Sequence, residues 1–137
     1  SASGLTAERL RLDLIASNLA NAESTKTESG GPYRRKVAIF EPRGARYSFR
    51  DIFSRSFSRP AQGVEVTGVR DDQSEFRRAY SPGHPEADAE GYVTFPNVDV
   101  TTEMVDMMAA TRAYEANVTA IEAAKTMAQR ALQMLRS

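Results

Sequence analysis

The sequence predicts an α+β fold in which long N- and C-terminal helices form an antiparallel, coiled-coil-like hairpin, with a small β-rich module between them. Three observations predict it. Residues 101–136 contain neither Gly nor Pro, and Ala, Met, Glu, Gln, Lys, Arg and Leu, all good helix formers, predominate. Residues 3–21 repeat apolar side chains at helical spacing. Ten of the eleven aromatic residues lie between these ends, from Tyr33 to Phe95, and such side chains suit a pleated, half-buried surface.

At the N-terminal end, Leu5, Leu12, Ile15, Leu19 and Ala22 fall on one stripe, which Leu10, Leu14 and Ala16 widen. Neither Ser3 with Thr6 nor Thr6 with Arg9 makes a capping box, so no side chain marks the start. Asn18, Asn21 and Ser24 then bring in side chains that compete for backbone hydrogen bonds, and Gly30-Gly31-Pro32 halts any helix.

In the middle, residues 33–40, 64–69 and 91–95 alternate Val, Ile, Tyr or Phe with polar residues and read as strands. Pro82-Gly83, inside Ser81-Pro82-Gly83-His84-Pro85, suits a type II turn, and Gly91 opens its strand at a φ value that only Gly takes freely. Residues 43–62 interleave Arg46, Arg50, Arg55 and Arg59 with Tyr47, Phe49, Ile52, Phe53 and Phe57. Such a segment is either a short irregular helix or a loop that orders against a neighbour.

At the C-terminal end, two sets of positions seven apart stand out: Met104, Thr111, Val118, Lys125, Leu132, and Met107, Tyr114, Ile121, Ala128, Leu135. These are the a and d sites of a coiled coil, with Thr111 and Lys125 the poor fits. A helix of this length runs about 50 Å at 1.5 Å per residue and must pack on something equally long. The N-terminal helix covers about half of it, so the remaining stripe calls for neighbouring subunits. The organisation is thus an N-terminal helix and loop over 1–30, a β-rich module over 31–100 and a C-terminal helix over 101–137.

The bulk numbers narrow the function. Formal net charge is zero, which gives no global pull toward nucleic acid or anionic membrane. Locally, residues 31–70 carry nine Lys/Arg against three Asp/Glu, and residues 71–110 carry two against nine. These opposite segments meet either within one module or across subunits. The absence of cysteine excludes disulfides, thiolate catalysis and sulfur-ligated zinc. Neither a secretory signal nor a membrane-spanning run is expected.

No catalytic, cofactor-binding or metal-binding residue is expected. His84 is the single histidine, read as a solvent-exposed turn residue, with no nucleophile-elbow or zinc-type spacing around it. Asp71-Asp72 and Glu86, Asp88 and Glu90 lack the spacing of a calcium loop and read as solvated charges. The Arg/aromatic mixture is not accompanied by a nucleic-acid-binding motif, and the adjacent acidic stretch repels phosphate. Nucleic acid and small-molecule substrates are therefore not expected partners.

The run Ala16-Ser17-Asn18-Leu19-Ala20-Asn21-Ala22, followed by Tyr33-Arg34-Arg35-Lys36, resembles the N-terminal signature of bacterial flagellar rod, hook and hook-associated proteins. More specific are Gly63-Val64-Glu65-Val66, the run from Tyr80 to Asp88, Gly91-Tyr92-Val93-Thr94-Phe95-Pro96-Asn97-Val98-Asp99, and Glu103-Met104-Val105. Their order resembles the FlgC-type proximal-rod subunits, and Thr111-Arg112-Ala113-Tyr114-Glu115-Ala116-Asn117-Val118 is similar to that family's C-terminal helix. His84 stands where the family usually has a small polar residue, and residues 43–59 have no strong counterpart.

The resemblance implies a structural building block, not an enzyme, with no cofactor. Family members cross the cell envelope through the flagellar type III export apparatus without a cleaved signal peptide. They polymerise with themselves and other rod subunits into the periplasmic part of the drive shaft needed for motility. The family-motif positions are Asn18, Asn21, Tyr33, Gly91, Tyr92, Pro96, Asn97 and Asp99. The helical seam expected to carry assembly is Leu5, Leu12, Ile15, Leu19, Met104, Met107, Tyr114, Val118, Ile121, Leu132 and Leu135. Without the resemblance, a generic coiled-coil adaptor accounts for the same helices.

Overall fold

The computed structural model describes residues 2–42 and 64–136. Six elements follow in order: α1 (Ala2–Ala20), β1 (Lys36–Pro42), β2 (Val64–Asp71), β3 (Arg77–Tyr80), β4 (Tyr92–Phe95) and α2 (Val100–Arg136). The fold class is α+β, as expected. The segment 43–62, with its interleaved arginines and aromatics, lies outside the described residues.

The Gly- and Pro-free run forms one helix of 37 residues, about 55 Å long at 1.5 Å per residue. Asp99 starts it. Its Oδ1 accepts the Thr102 N–H at 3.2 Å and its carbonyl accepts the Glu103 N–H at 2.9 Å, the geometry of an N-cap.

Helix α1 packs against the first half of α2. A Cβ added to Gly4 would lie 3.1 Å from Asn117 Nδ2, while Arg11, Ile15 and Asn18 border the same small cavity as Asp106. The start of α1 therefore lies beside the middle of α2, its end beside the root of α2, and the helices run antiparallel. Small buried residues, Ala7 and Ala110, accompany this close approach, with Ile15 and Asn18 also buried.

Of the expected seam, Leu5, Leu12, Leu19, Met107, Tyr114, Val118 and Ile121 are half-buried and Ile15 is buried. Met104 lies off it at 54% exposed, and Thr111 is exposed. The buried positions are Glu103 and Ala110, one residue earlier, with Asn117 half-buried seven further on. Beyond Ile121 every residue to Arg136 is exposed, Leu132 at 58% and Leu135 at 83%.

The expected β-rich module is two separate two-stranded antiparallel sheets, β1–β2 and β3–β4. In the first, Lys36 pairs with Asp71 and Ile39 with Gly68; a bulge then skips Thr67, so that Phe40 pairs with Val66. The strand expected over 33–40 begins at Lys36 instead, because Tyr33 is drawn back toward α1.

Strand β3 had no place in the sequence reading. It pairs Arg77 with Phe95 and Tyr80 with Tyr92. The Arg77 guanidinium lies over the Phe95 ring at 4.8 Å and Arg78 over Tyr92 at 5.1 Å, so two cations sit on aromatic faces of the partner strand. Beneath them Val93 is fully buried.

Two turn expectations have different outcomes. Gly91 has φ +87°, as expected, and a Cβ there would lie 2.8 Å from Tyr80 Cε2. The turn at Ser81–His84 is closed by the His84 N–H to the Ser81 carbonyl at 3.0 Å, but Gly83 is not among the positive-φ glycines. A type II turn requires positive φ at that position, so the expectation of one is corrected.

Candidate functional site

Of the family-motif residues, Asn18, Asn21, Tyr33, Pro96, Asn97 and Asp99 lie where α1 ends, β1 begins and α2 is rooted, whereas Gly91 and Tyr92 lie at the other end of β3–β4, beside Tyr80. Asn18 is 1% exposed and uses its amide three ways. Nδ2 donates to the Lys36 carbonyl at 2.9 Å, while Oδ1 accepts the Lys36 N–H at 2.9 Å and the Tyr33 hydroxyl at 2.8 Å. The side chain thereby acts as a one-residue strand beside the start of β1, satisfying both backbone groups that would otherwise be orphaned.

Asn97 grips the preceding residue. Its Oδ1 accepts the Arg35 N–H at 2.8 Å, and its Nδ2 donates to the Asp72 carbonyl at 2.9 Å and to Ser74 Oγ at 3.0 Å. Asn21 secures the exit of α1, with Nδ2 donating to the Ser17 carbonyl at 2.8 Å and Oδ1 accepting the Ser24 hydroxyl at 3.2 Å. Pro96 is buried at the turn into α2, and Tyr92 meets Tyr80 edge-on at 5.5 Å.

Arg35 is the hub. Its Nε donates to Glu103 on α2, its Nη1 to Asp72 at 3.1 Å, and its Nη2 lies 3.8 Å from Asp106. Glu103 is 1% exposed, and its Oε2 is buried with no hydrogen-bond partner among the described residues. Burial acts to lower the Arg35 pKa; hydrogen bonding and charge from Glu103, then from Asp72, outweigh it and hold the guanidinium above its ordinary value. Asp72 is held below the usual carboxylate value, first by the Ser74 backbone N–H, against a smaller effect of burial, and then by the Ser74 hydroxyl and Arg35.

Several sequence expectations change at this point. Asp71 and Asp72 are not freely solvated: Asp71 pairs with Lys36 across β1–β2, and Asp72 with Arg35. The basic and acidic segments thus meet within one subunit at these residues. Asp88 closes the β3–β4 connection, where Oδ1 accepts the Tyr92 and Glu90 N–H groups at 2.9 Å each and Oδ2 meets Arg78 at 3.0 Å. His84 is half-buried rather than solvent-exposed, its ring 6.0 Å from Phe95 and its Nδ1 accepting the Glu86 N–H at 3.0 Å.

Arg35, Asp72 and Glu103 have roles at this junction that the sequence alone does not predict. The signal available for Glu103 was its spacing, seven before Ala110 and fourteen before Asn117, inside a stripe that faces α1. Chemically, the junction's side-chain amides, Arg35 and Asp72 are matched to polar groups of the chain, while Glu103 Oε2 is left without one among the described residues. A cleft of about 510 Å³ beside it is lined by Glu23, Ser74, Arg77, Asn97, Asp99 and other residues. Among the described residues no group of His, Cys, Asp and Glu is arranged to hold a metal, and no helix is long and apolar enough to cross a membrane.

Two family models match the chain, one described as flagella basal body rod protein over residues 1–26 and one as flagellar basal body rod FlgEFG protein C-terminal over residues 89–134. Among curated relatives, the chain is 43% identical to the flagellar basal-body rod protein FlgC of Borreliella burgdorferi, covering 98% of this chain and 93% of that one. It is 44% identical to FlgC of Bacillus subtilis over the same shares of each. It is 41% identical to FlgC of Escherichia coli O6:H1, covering 96% and 90%. The chain belongs to the FlgC family of flagellar basal-body rod proteins. As a member of the FlgC family it is a structural subunit of the basal-body rod, in the service of motility, and not an enzyme.

Proposed function

We propose that this rod subunit polymerises through its terminal helices, which pair as a coiled-coil-like hairpin and leave part of α2 to be covered by neighbouring copies and other rod subunits. The exposure of α2 beyond Ile121 carries this reading: Met127, Leu132, Met134 and Leu135 are 58–83% exposed on a helix that continues well past its cover. Burying four such side chains contributes about 6–12 kcal/mol at 1.5–3 kcal/mol each. That is comparable with the roughly 4–15 kcal/mol cost of immobilising a partner, so several contacts per subunit are needed, as in a filament.

In the same reading the protein occupies the proximal, periplasmic part of the rod and reaches it through the flagellar type III export apparatus, without a cleaved signal peptide. Residues 1–30, 31–100 and 101–137 form helix, β module and helix, the junction around Arg35 fixing the module to the root of α2. The test is the double substitution Leu132→Asp/Leu135→Asp. Both sites are exposed, so the isolated subunit keeps its stability within about 0.5 kcal/mol. Cells making only this variant assemble no rod. Rods of normal length from the variant overturn the reading.

A further inference from the structure

Each helix carries a second line of residues on the side away from the intramolecular seam. On α2 that line is Met104, Met108, Arg112 and Glu115, all exposed, with Met104, Met107, Met108, Thr111 and Arg112 lining a shallow, mostly apolar groove of about 390 Å³. On α1 it is Arg9, Asp13, Ala16 and Ala20, also all exposed. Both lines span eleven residue steps, about 16 Å along a helix. None of the four charged residues forms an ion pair with another described residue.

We infer that these two lines bind each other between copies: the outer face of α2 in one subunit seats on the outer face of α1 in the next. The inference rests on the assembly reading above and names the surfaces that meet. One antiparallel register satisfies every position. It sets Met104 on Ala20, Met108 on Ala16, Arg112 beside Asp13 and Glu115 beside Arg9. The flexible thioethers fill the space left by the small alanines, and both charges find opposite partners. A parallel register sets Met104 against Arg9, Met108 against Asp13 and the α2 charges against alanine, so charge and shape select the antiparallel one.

The two faces cannot meet within a subunit, because each points away from that subunit's own α1–α2 seam. Every copy therefore offers one of each, which is a head-to-tail contact that continues as a ring or an open helix. This contact is distinct from the cover proposed for α2 beyond Ile121.

The chain has no cysteine, so an introduced pair supplies its only thiols. A chain carrying Ala16→Cys and Met108→Cys is made as the only copy in cells, and basal bodies are isolated, mildly oxidised and run without reductant. The expected result is a ladder of dimers and higher multiples of this chain, absent from either single-Cys variant. On the double-Cys chain, Arg112→Asp lowers the ladder about tenfold, as loss of a close interfacial charge pair does, and adding Asp13→Arg restores it.

Rods that assemble without the ladder, or that link these cysteines to a different polypeptide, overturn the inference while leaving assembly through the helices standing. Absence of the unsubstituted chain from isolated basal bodies overturns both. If the cysteine pair itself prevents assembly, motility of the cysteine-free Arg112→Asp chain with and without Asp13→Arg decides: rescue supports the contact and its failure overturns it.

Discussion

Asn18 holds Lys36 by both of its backbone groups, donating to the carbonyl and accepting from the N–H at 2.9 Å each, so that a helix side chain stands in for a neighbouring strand. That relationship explains why a polar residue sits buried at the end of an otherwise apolar stripe. It also couples α1 to the β module through one side chain.

Removing that side chain leaves the Lys36 N–H, the Lys36 carbonyl and the Tyr33 hydroxyl without their partner. Each loss in a buried site costs about 1–3 kcal/mol when water cannot fully replace it. Asn18→Ala is therefore expected to destabilise the subunit by about 3 kcal/mol in urea unfolding. A change below about 0.5 kcal/mol, the size of a surface substitution, contradicts the role assigned to the amide.

At the hub, the pair matters more than either charge. Arg35→Met leaves Glu103 buried and uncompensated, and breaking a buried pair costs about 3–5 kcal/mol. Arg35→Met combined with Glu103→Leu removes both charges and is expected to recover most of that loss. A double variant as unstable as the sum of the two single changes shows that the residues are not coupled.

Acid should loosen the same junction. Asp72 has a lower pKa folded than unfolded, so its contribution is complete above the ordinary carboxylate value near 3.8 and is lost as pH falls through the lower folded value. Unfolding free energy measured from pH 6 down to pH 2 is expected to decline below about pH 4, and Asp72→Asn is expected to flatten that decline. Arg35, whose pKa is raised, stays charged throughout this range and adds no slope. An Asp72→Asn chain with an unchanged acid slope would refute the assignment.

Gly91 and Gly83 make a matched pair for backbone freedom. Gly91 combines φ +87° with Tyr80 Cε2 at 2.8 Å from an added Cβ, whereas Gly83 has nothing within 4 Å and no positive φ. Gly91→Ala is expected to lower stability by about 1–3 kcal/mol and Gly83→Ala to change it little. Thermal melts of the two variants compare them directly, and equal losses would count against the strain at Gly91.

Much of this architecture was legible because periodicity reports what each element must bury. The Gly- and Pro-free run and the Leu12–Ile15–Leu19 stripe gave both helices to within a residue or two of their observed ends. Strand β3 was not legible, since Arg77-Arg78 looks like solvated loop until Phe95 and Tyr92 are known to lie across from it. The division into two small sheets depends on tertiary pairing that no local pattern encodes.

Two positions of the α2 stripe, Met104 and Thr111, are exposed, and their neighbours Glu103 and Ala110 are buried beside the half-buried Met107, Tyr114, Val118 and Ile121. Hydrophobicity favoured Met104 over Glu103, and the seven-residue repeat from Met104 then passed through the poorly fitting Thr111 and not Ala110; yet Ala110 is the side chain buried at the closely packed α1 face, and the buried Glu103 is met there by Arg35. Motif recognition located Asn18, Tyr33, Asn97 and Asp99. The bonds of Asn18 to Lys36, Tyr33 to Asn18, Asn97 to Arg35 and Asp99 to Thr102 required the fold.

The central claim is that α2 beyond Ile121 is uncovered in the lone subunit and covered in the rod. Amide hydrogen exchange over residues 122–136, followed in a monomer verified by sedimentation and again in assembled rods, tests it most directly. The account predicts rapid exchange in the monomer and strong protection in the rod. Equally slow exchange in the verified monomer would contradict it.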